Sequence, residues 1–480
     1  MSVSPKKSYV NNGGPFNFAA FIKYISNEIE MPQLKRTFMV LAGLLTLQHL
    51  PAQTPVTMND AIRYALKNSE VLKQARLDIE KGVYQVKETR ANALPQLSAT
   101  STLTNNLLVQ QFVLPAEAFG GKPGEFMAIK AGQTWGAMTQ VQLSQQIFNQ
   151  QVMTGLKAAR TTEDFYRISE ELAGENVIQQ VAVNYYQVQI SRLQMSVIDA
   201  NLERVTKLGD MIAGQYENGL AKKIDVDRVK VNKSNLAAQK LLLENAIAQQ
   251  ENLLKYYMGM PVMEQIVLSD PDLDSERLPE AAPAAGDFLN IESLLAYNIL
   301  KKQDDLLKFQ RDAIAAEAYP TLSLNGNYTY NTQSNRFNLY GKNALSYDVA
   351  AVTLNLRIPI FDGFSRKSRI RQSEIARLNL REDIRKTSNS LYMANENAKS
   401  QLENSLRTIR TQAANKELAG EVYESIRNNY RNGLANLTDL LNAEDELVNA
   451  QKSHNEALLQ YRIAEIELLK SNGKITSMLN

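Results

Sequence analysis

The chain has 480 residues, and 53 Lys and Arg stand against 51 Asp and Glu, so it could hold roughly two to four ordinary domains and has no global charge that would draw it to nucleic acid. The absence of cysteine excludes disulfides, thiol catalysis, thiolate metal sites and lipidation on an N-terminal cysteine. Only 2 histidines are present, which leaves almost nothing for a histidine-based catalytic or metal centre.

In chain order, residues 1–30 read as an upstream extension, with Met31 as the start. Residues 31–52, "MPQLKRTFMVLAGLLTLQHLPA", follow the grammar of a secretory signal peptide. Lys35 and Arg36 form the basic region, Phe38 to Leu47 the apolar region, and Leu50-Pro51-Ala52 a cleavage site before Gln53. The apolar run is about half of the ~20 residues that a membrane-spanning helix needs, and no other stretch is long and apolar enough to span as a helix.

Residues 53–258 read as a first repeat: a short helix near "NDAIRYALKNS", strands at about 97–109 and 135–148, and a helical hairpin over about 150–258. No proline falls between Pro123 and Pro261 or after Pro359. Proline in a helix interior costs ~3 kcal/mol, so these spans are free to form long helices. A continuous helix from Val152 to Tyr216 would be about 100 Å long. Val229, Leu236, Leu243 and Tyr257 keep one heptad register, with Val226, Ile247 and Leu254 beside it, a seam for packing against another helix. Between the two arms lies "YENGLAKKIDVD", from Tyr216. Pro261, Pro271, Pro279 and Pro283 then mark a linker over 259–287.

Residues 288–480 repeat the plan, with strands at about 322–331 and 349–360 and a hairpin over about 363–473. "NIESLLAYNI" from Asn290 answers to the helix at Asn59, "YPTLS" at Tyr319 to "LPQLS" at Leu94, and "PIFDG" at Pro359 to "QIFNQ" at Gln146. "YRNGLANLTDLLNAED" from Tyr430 answers to the turn at Tyr216. Asn218-Gly219 and Asn432-Gly433 suit helix C-termini, and Asn436 with Asp439 suits the cap of a return helix.

The strands carry period-two amphipathicity. Leu322, Leu324, Gly326, Tyr328 and Tyr330 alternate with Ser323, Asn325, Asn327, Thr329 and Asn331, and Ala350 to Ile360 alternates in the same way. The first pair is less regular, with glutamines on both faces of its second strand. Each pair is joined by a polar loop, "QQFVLPAEAFGGKPGEFMAIKAG" and "TQSNRFNLYGKNALS". If these segments span a membrane, every backbone polar group must be paired, so the sheet must close. Four strands cannot close, since barrels begin at about eight, and the chain must share a barrel with copies of itself; three copies give twelve strands.

Taken together, the signal peptide, the duplicated strand–strand–long-helix–turn–helix unit, "IPIFDGF" at a strand-to-helix junction and two Tyr-x-x-Gly turns followed by aspartate resemble the TolC family of outer-membrane efflux and secretion channels. The resemblance spans Thr57 to Gly473. It implies an α+β fold: a homotrimer with a twelve-stranded transmembrane β-barrel, four strands per chain, continued by a long α-helical barrel of coiled-coil hairpins in the periplasm. It also implies a passive exit duct in outer-membrane lipid, driven by an inner-membrane pump through a periplasmic adaptor (membrane fusion) protein, with no cofactor and no nucleic acid. On the family pattern the adaptor engages Gly219-Leu220-Ala221 and Gly433-Leu434-Ala435. Asp439 takes the place of a gate aspartate and Asp225 that of its counterpart, while Asn442 stands where some members have a second aspartate. A gate of this kind attracts cations and repels anions. The competing reading is a periplasmic coiled-coil scaffold whose alternating segments form a small dimerisation sheet. An enzyme is the weakest candidate, because no phosphate loop, dinucleotide glycines, nucleophile elbow or metal-ligand cluster stands in the sequence. His454 reads as helix surface or packing, and Trp135 as an interfacial aromatic.

Overall fold

Proline-free runs of Ala, Leu, Gln, Glu and Lys become helices of unusual length in the computed structural model, which describes residues 55–269, 289–339, 341–342 and 344–479. The extension and signal peptide expected over 1–52, and residues 270–288 of the expected linker and second repeat, lie outside the described residues. In chain order the unit from Val56 onward contains α1 (Met58–Asn68), α2 (Glu70–Ala91), β1 (Gln96–Asn105), β2 (Gln111–Pro115), β3 (Phe126–Lys130), β4 (Trp135–Phe148), α3 (Gln150–Glu217) and α4 (Lys223–Met258). After residue 288 come α5 (Leu295–Ala316), β5 (Thr321–Ser334), β6 (Leu345–Arg357), α6 (Ser365–Arg431) and α7 (Leu437–Ser471). At 68 and 67 residues, α3 and α6 are each about 100 Å long. No described helix is long and apolar enough to cross a membrane.

The four long strands form one antiparallel sheet in the order β1-β4-β5-β6. Its register sorts the side chains by face. Leu97, Leu143, Gly326 and Val352 lie in one row across the sheet, and Ala99, Val141, Tyr328 and Ala350 in the next row of the same face. Gln96, Ser144, Asn325 and Thr353 line the opposite face, with Ser98, Gln142 and Asn327 beside them. One face is thus largely apolar and the other largely polar. Gln145, which breaks the apolar alternation, lies beside a register shift at the helical end of β4, and its amide donates to the carbonyl oxygens of Ala93 (2.7 Å) and Gln146 (3.0 Å).

Strand limits differ from the expected ones for local reasons. β1 stops at Asn105 instead of continuing to 109, because Asn106 turns to donate from its backbone N to Thr134 O (2.7 Å) and from its side chain to Gln133 O (2.9 Å). The segment expected to be a polar loop contains a hairpin, β2 against β3, rich in apolar residues. β5 extends three residues past Asn331, pairing Gln333 with Leu345, so β6 begins early. β6 ends at Arg357 because Pro359 has no N–H to give a ladder.

Helix α1 starts with a capping box, in which Thr57 Oγ1 accepts from Asp60 N (3.2 Å) and the Asp60 carboxylate accepts from Thr57 N (3.3 Å). Its buried face, Ala61, Ile62 and Ala65, packs with Val181, Val188, Leu254 and Met258 in a core where α1, α3, α4 and the C-terminal end of α7 meet. Helix α4 ends there at Gly259, whose φ of +69° needs the left-handed region. A Cβ at that position would lie 2.5 Å from the Asn68 carbonyl oxygen. Gly259→Ala is therefore expected to destabilise the chain by more than the ~1–2 kcal/mol left-handed penalty alone, and a thermal melt followed by circular dichroism that matched the parent would refute the close approach.

Candidate functional site at the hairpin tips

Each long helix reverses at a turn of the same construction. At the first tip Leu220 N donates to Gln215 O (2.8 Å) and Gly219 N to Tyr216 O (3.0 Å). At the second, Leu434 N donates to Asn429 O (2.8 Å) and Gly433 N to Tyr430 O (3.1 Å). This is the Schellman pattern, which needs its next-to-last position in the left-handed region; Gly219 and Gly433 sit at φ +75° and +72°. A Cβ at either glycine would meet open space, so conformation alone calls for glycine there. The pattern leaves Leu220 and Leu434 80% and 77% exposed, while Ala221 and Ala435 are half-buried.

The return helices start differently. Asn436 Oδ1 accepts from Asp439 N (2.9 Å) and the Asp439 carboxylate accepts from Asn436 N (3.2 Å), a complete capping box opening α7. Helix α4 has Lys222 at its cap and no side-chain cap bond, and Asp225 N donates to Lys222 O (3.0 Å). Asp225 is half-buried and close enough to Tyr430 to act on its hydroxyl, which burial first and the Asp225 carboxylate second push above the usual phenol range. Asp439 and Asn442 are exposed on α7. Asn442 lines a groove of about 700 Å³ between α4 and α7, with Asp227, Arg228, Thr438 and Asp445 among its walls. Across that groove Arg228 Nη1 donates to Thr438 Oγ1 (2.8 Å), joining the two hairpins. The structure thus gathers Asp225 and the second turn, and sets Asp439 and Asn442 along one helix, within a single tip region.

Beneath the tips, Val205, Leu208, Ile212 and Val229 of the first hairpin pack against Leu437, Leu440, Ala443 and Leu447 of the second. Into this apolar layer the chain places a charge. Glu444 is 2% exposed and accepts from Arg204 Nε at 3.0 Å. Burial raises the Glu444 carboxyl above its ordinary range, and the Arg204 guanidinium opposes that rise. Arg204 and Arg427 both stand 5.8 Å from the centroid of Tyr423, and Arg427 pairs with Glu424 at 2.5 Å. This cluster was not anticipated from sequence. Its one available signal was Glu444 on the stripe formed by Leu440, Ala443 and Leu447. His454 is buried in the same helix, as interhelix packing requires, and Trp135 packs edge-on to Phe337 at 4.7 Å.

The model of the family described as "Outer membrane efflux protein" matches residues 61–260 and 303–474. The chain belongs to that family, whose members are efflux channels and not enzymes. It is similar to outer membrane protein TolC of Vibrio cholerae serotype O1, with 21% identity over 397 residues, covering 82% of this chain and 84% of that one. Among solved structures it is similar to the outer membrane protein VceC from Vibrio cholerae, with a TM-score of 0.66 and 16% identity over 87% of this chain and 96% of that one. It is also similar to the open state of the MtrE outer membrane channel of Neisseria gonorrhoeae, with a TM-score of 0.66 and 18% identity over 87% and 89%. The α+β fold, a small antiparallel sheet on long helices, is that of TolC-family channels.

The buried pair makes a signed prediction. With its carboxyl pKa raised, Glu444 contributes stability that is complete below the ordinary carboxylate range and is lost as pH rises through the raised value. Arg204→Ala removes the group that opposes this loss and leaves a buried charge alone, which costs about 3 kcal/mol. Thermal melts should show a larger penalty for Arg204→Ala at about pH 8 than at about pH 5; an equal penalty at both would mean that Glu444 is not charged when paired.

Proposed function

We propose that three copies of this chain form an outer-membrane exit duct for a tripartite efflux or type I secretion system. One observation carries the reading: a four-stranded sheet with an apolar and a polar face, whose outermost strands β1 and β6 are exposed along their whole length. Such edges present unpaired N–H and C=O groups that lipid cannot satisfy. Joining β6 of one copy to β1 of the next closes twelve strands, turning the apolar rows to lipid and the polar rows to a lumen. Membership in a family of trimeric channels that work with adaptor and pump proteins supports the same stoichiometry.

In this reading residues 53–258 and 288–480 are two repeats joined by a linker over 259–287, and each contributes one hairpin to a tube of helices in the periplasm. Six tips then surround the inner mouth. Exposed apolar residues along the helices, such as Val231, Leu241, Leu242 and Leu418, face neighbouring protomers. Asp225, Asp439 and Asn442 line the gate, and Gly219-Leu220-Ala221 with Gly433-Leu434-Ala435 meet a periplasmic adaptor. The exposed leucines suit that role, because a rigid turn presents each as an apolar knob. The duct is passive: an adaptor that binds the opened tips more tightly than the closed ones shifts the gate, and an inner-membrane pump supplies the energy.

Outer-membrane fractionation and a heat-sensitive trimer band on a denaturing gel are the expected results; a monomer extracted without detergent would favour the scaffold instead. For the gate, Asp225→Asn with Asp439→Asn keeps side-chain size and removes charge. Planar-bilayer recordings should show raised leak conductance and weaker block by divalent cations, and unchanged conductance would take both residues out of the gate.

A further inference from the structure

The β2–β3 hairpin stands in the connection from β1 to β4, at the end of the sheet away from the helices. Its strands pair with each other and with no other described strand. The register puts Phe112, Leu114, Met127 and Ile129 on one face and Val113, Pro115, Phe126 and Ala128 on the other. Both faces are therefore apolar over their middle, which a two-stranded ribbon cannot bury by itself. In the single chain they stand uncovered: every residue of β2 is exposed, as is every residue of β3 except Ile129, with Phe126 at 73%. Leu107 and Leu108 at the base are exposed as well. So much apolar surface on one small element marks an interaction site.

Resting on the trimeric duct proposed above, we propose that the three β2–β3 hairpins pack on one another head to tail, as an apolar collar at the outer mouth. Three features select a second copy as the occupant. The hairpin leaves the end of β1, the edge strand that meets the next protomer, so the contact continues the barrel seam. It has two different apolar faces, and a three-fold axis gives each hairpin two neighbours, so face against opposite face closes a ring of three. Lipid is a poor occupant, because both ribbon edges carry unpaired backbone groups, and Gln111 and Lys130 at the base with Glu117, Lys122 and Glu125 at the tip are polar.

The chain lacks cysteine, so engineered thiols report without background. Val113→Cys and Met127→Cys place one thiol on each face, on opposite sides of the ribbon and unable to meet within one chain. Oxidation of the double variant in outer membranes should give covalent dimers and trimers that survive boiling and collapse to monomer on reduction. Each single variant should stay monomeric, because in a head-to-tail ring neither face meets itself. Three results overturn the collar: a double variant that stays monomeric after boiling while the heat-sensitive trimer band is intact, dimers from either single variant, or quenching by brominated lipid of a fluorophore attached at Val113→Cys. Loss of the trimer band from the unmodified chain would overturn the duct and the collar with it.

Discussion

Backbone hydrogen bonding at the two edges of a four-stranded sheet is the constraint on which the rest of this protein depends. Inside the sheet every strand has a partner, and the register holds apolar rows on one face and polar rows on the other. At β1 and β6 the ladders stop. In water a protein can protect such edges with charge, proline or a covering helix. In lipid it cannot, and the cheapest remedy is the same sheet supplied by another copy of the chain. In the proposed duct, oligomer, pore and orientation would all follow from that one deficit, and a collar of hairpins at the seam would follow from it too.

The helical part answers a different demand. Two hairpins must lie side by side over lengths at which small angular errors add up. Apolar packing under the tips supplies adhesion, but the hydrophobic effect is non-directional. The Arg204–Glu444 pair and the Arg228–Thr438 bond add direction, since each is satisfied at only one relative height of the hairpins. A buried ion pair is a poor source of net stability, because desolvation offsets most of its attraction. Its value lies in register, because Glu444 and Arg204 meet only when the two hairpins stand at one relative height.

Asp439 illustrates how a capping role and the proposed gate role can share one side chain. Its carboxylate closes the capping box of α7 and at the same time stays exposed at the tip. Asp225 lacks a capping duty and instead lies half-buried toward Tyr430. The equivalent aspartates of the two turns are thus not equivalent physically, although the Schellman turns that precede them match bond for bond.

Local chemistry in the sequence was enough to determine the long helices, both turns, the Asn436 cap and the two-faced strands, because proline placement, left-handed glycines and period-two alternation act within a few residues. It also carried the family, through the order of those elements. Strand limits were less legible: β1 ends where Asn106 finds Thr134 and Gln133, and β5 continues because Leu345 is there to pair. The β2–β3 hairpin escaped notice because its glycines, Pro123 and charged tip mask a short apolar ribbon. The burial of Glu444 was hidden for the opposite reason, since nothing local to an acid among leucines names its partner until Arg204, far away in sequence, is brought against it. Pairings between distant segments are decided by tertiary structure, because the energy of a buried charge or an open edge depends on what lies opposite it and not on its neighbours in the chain.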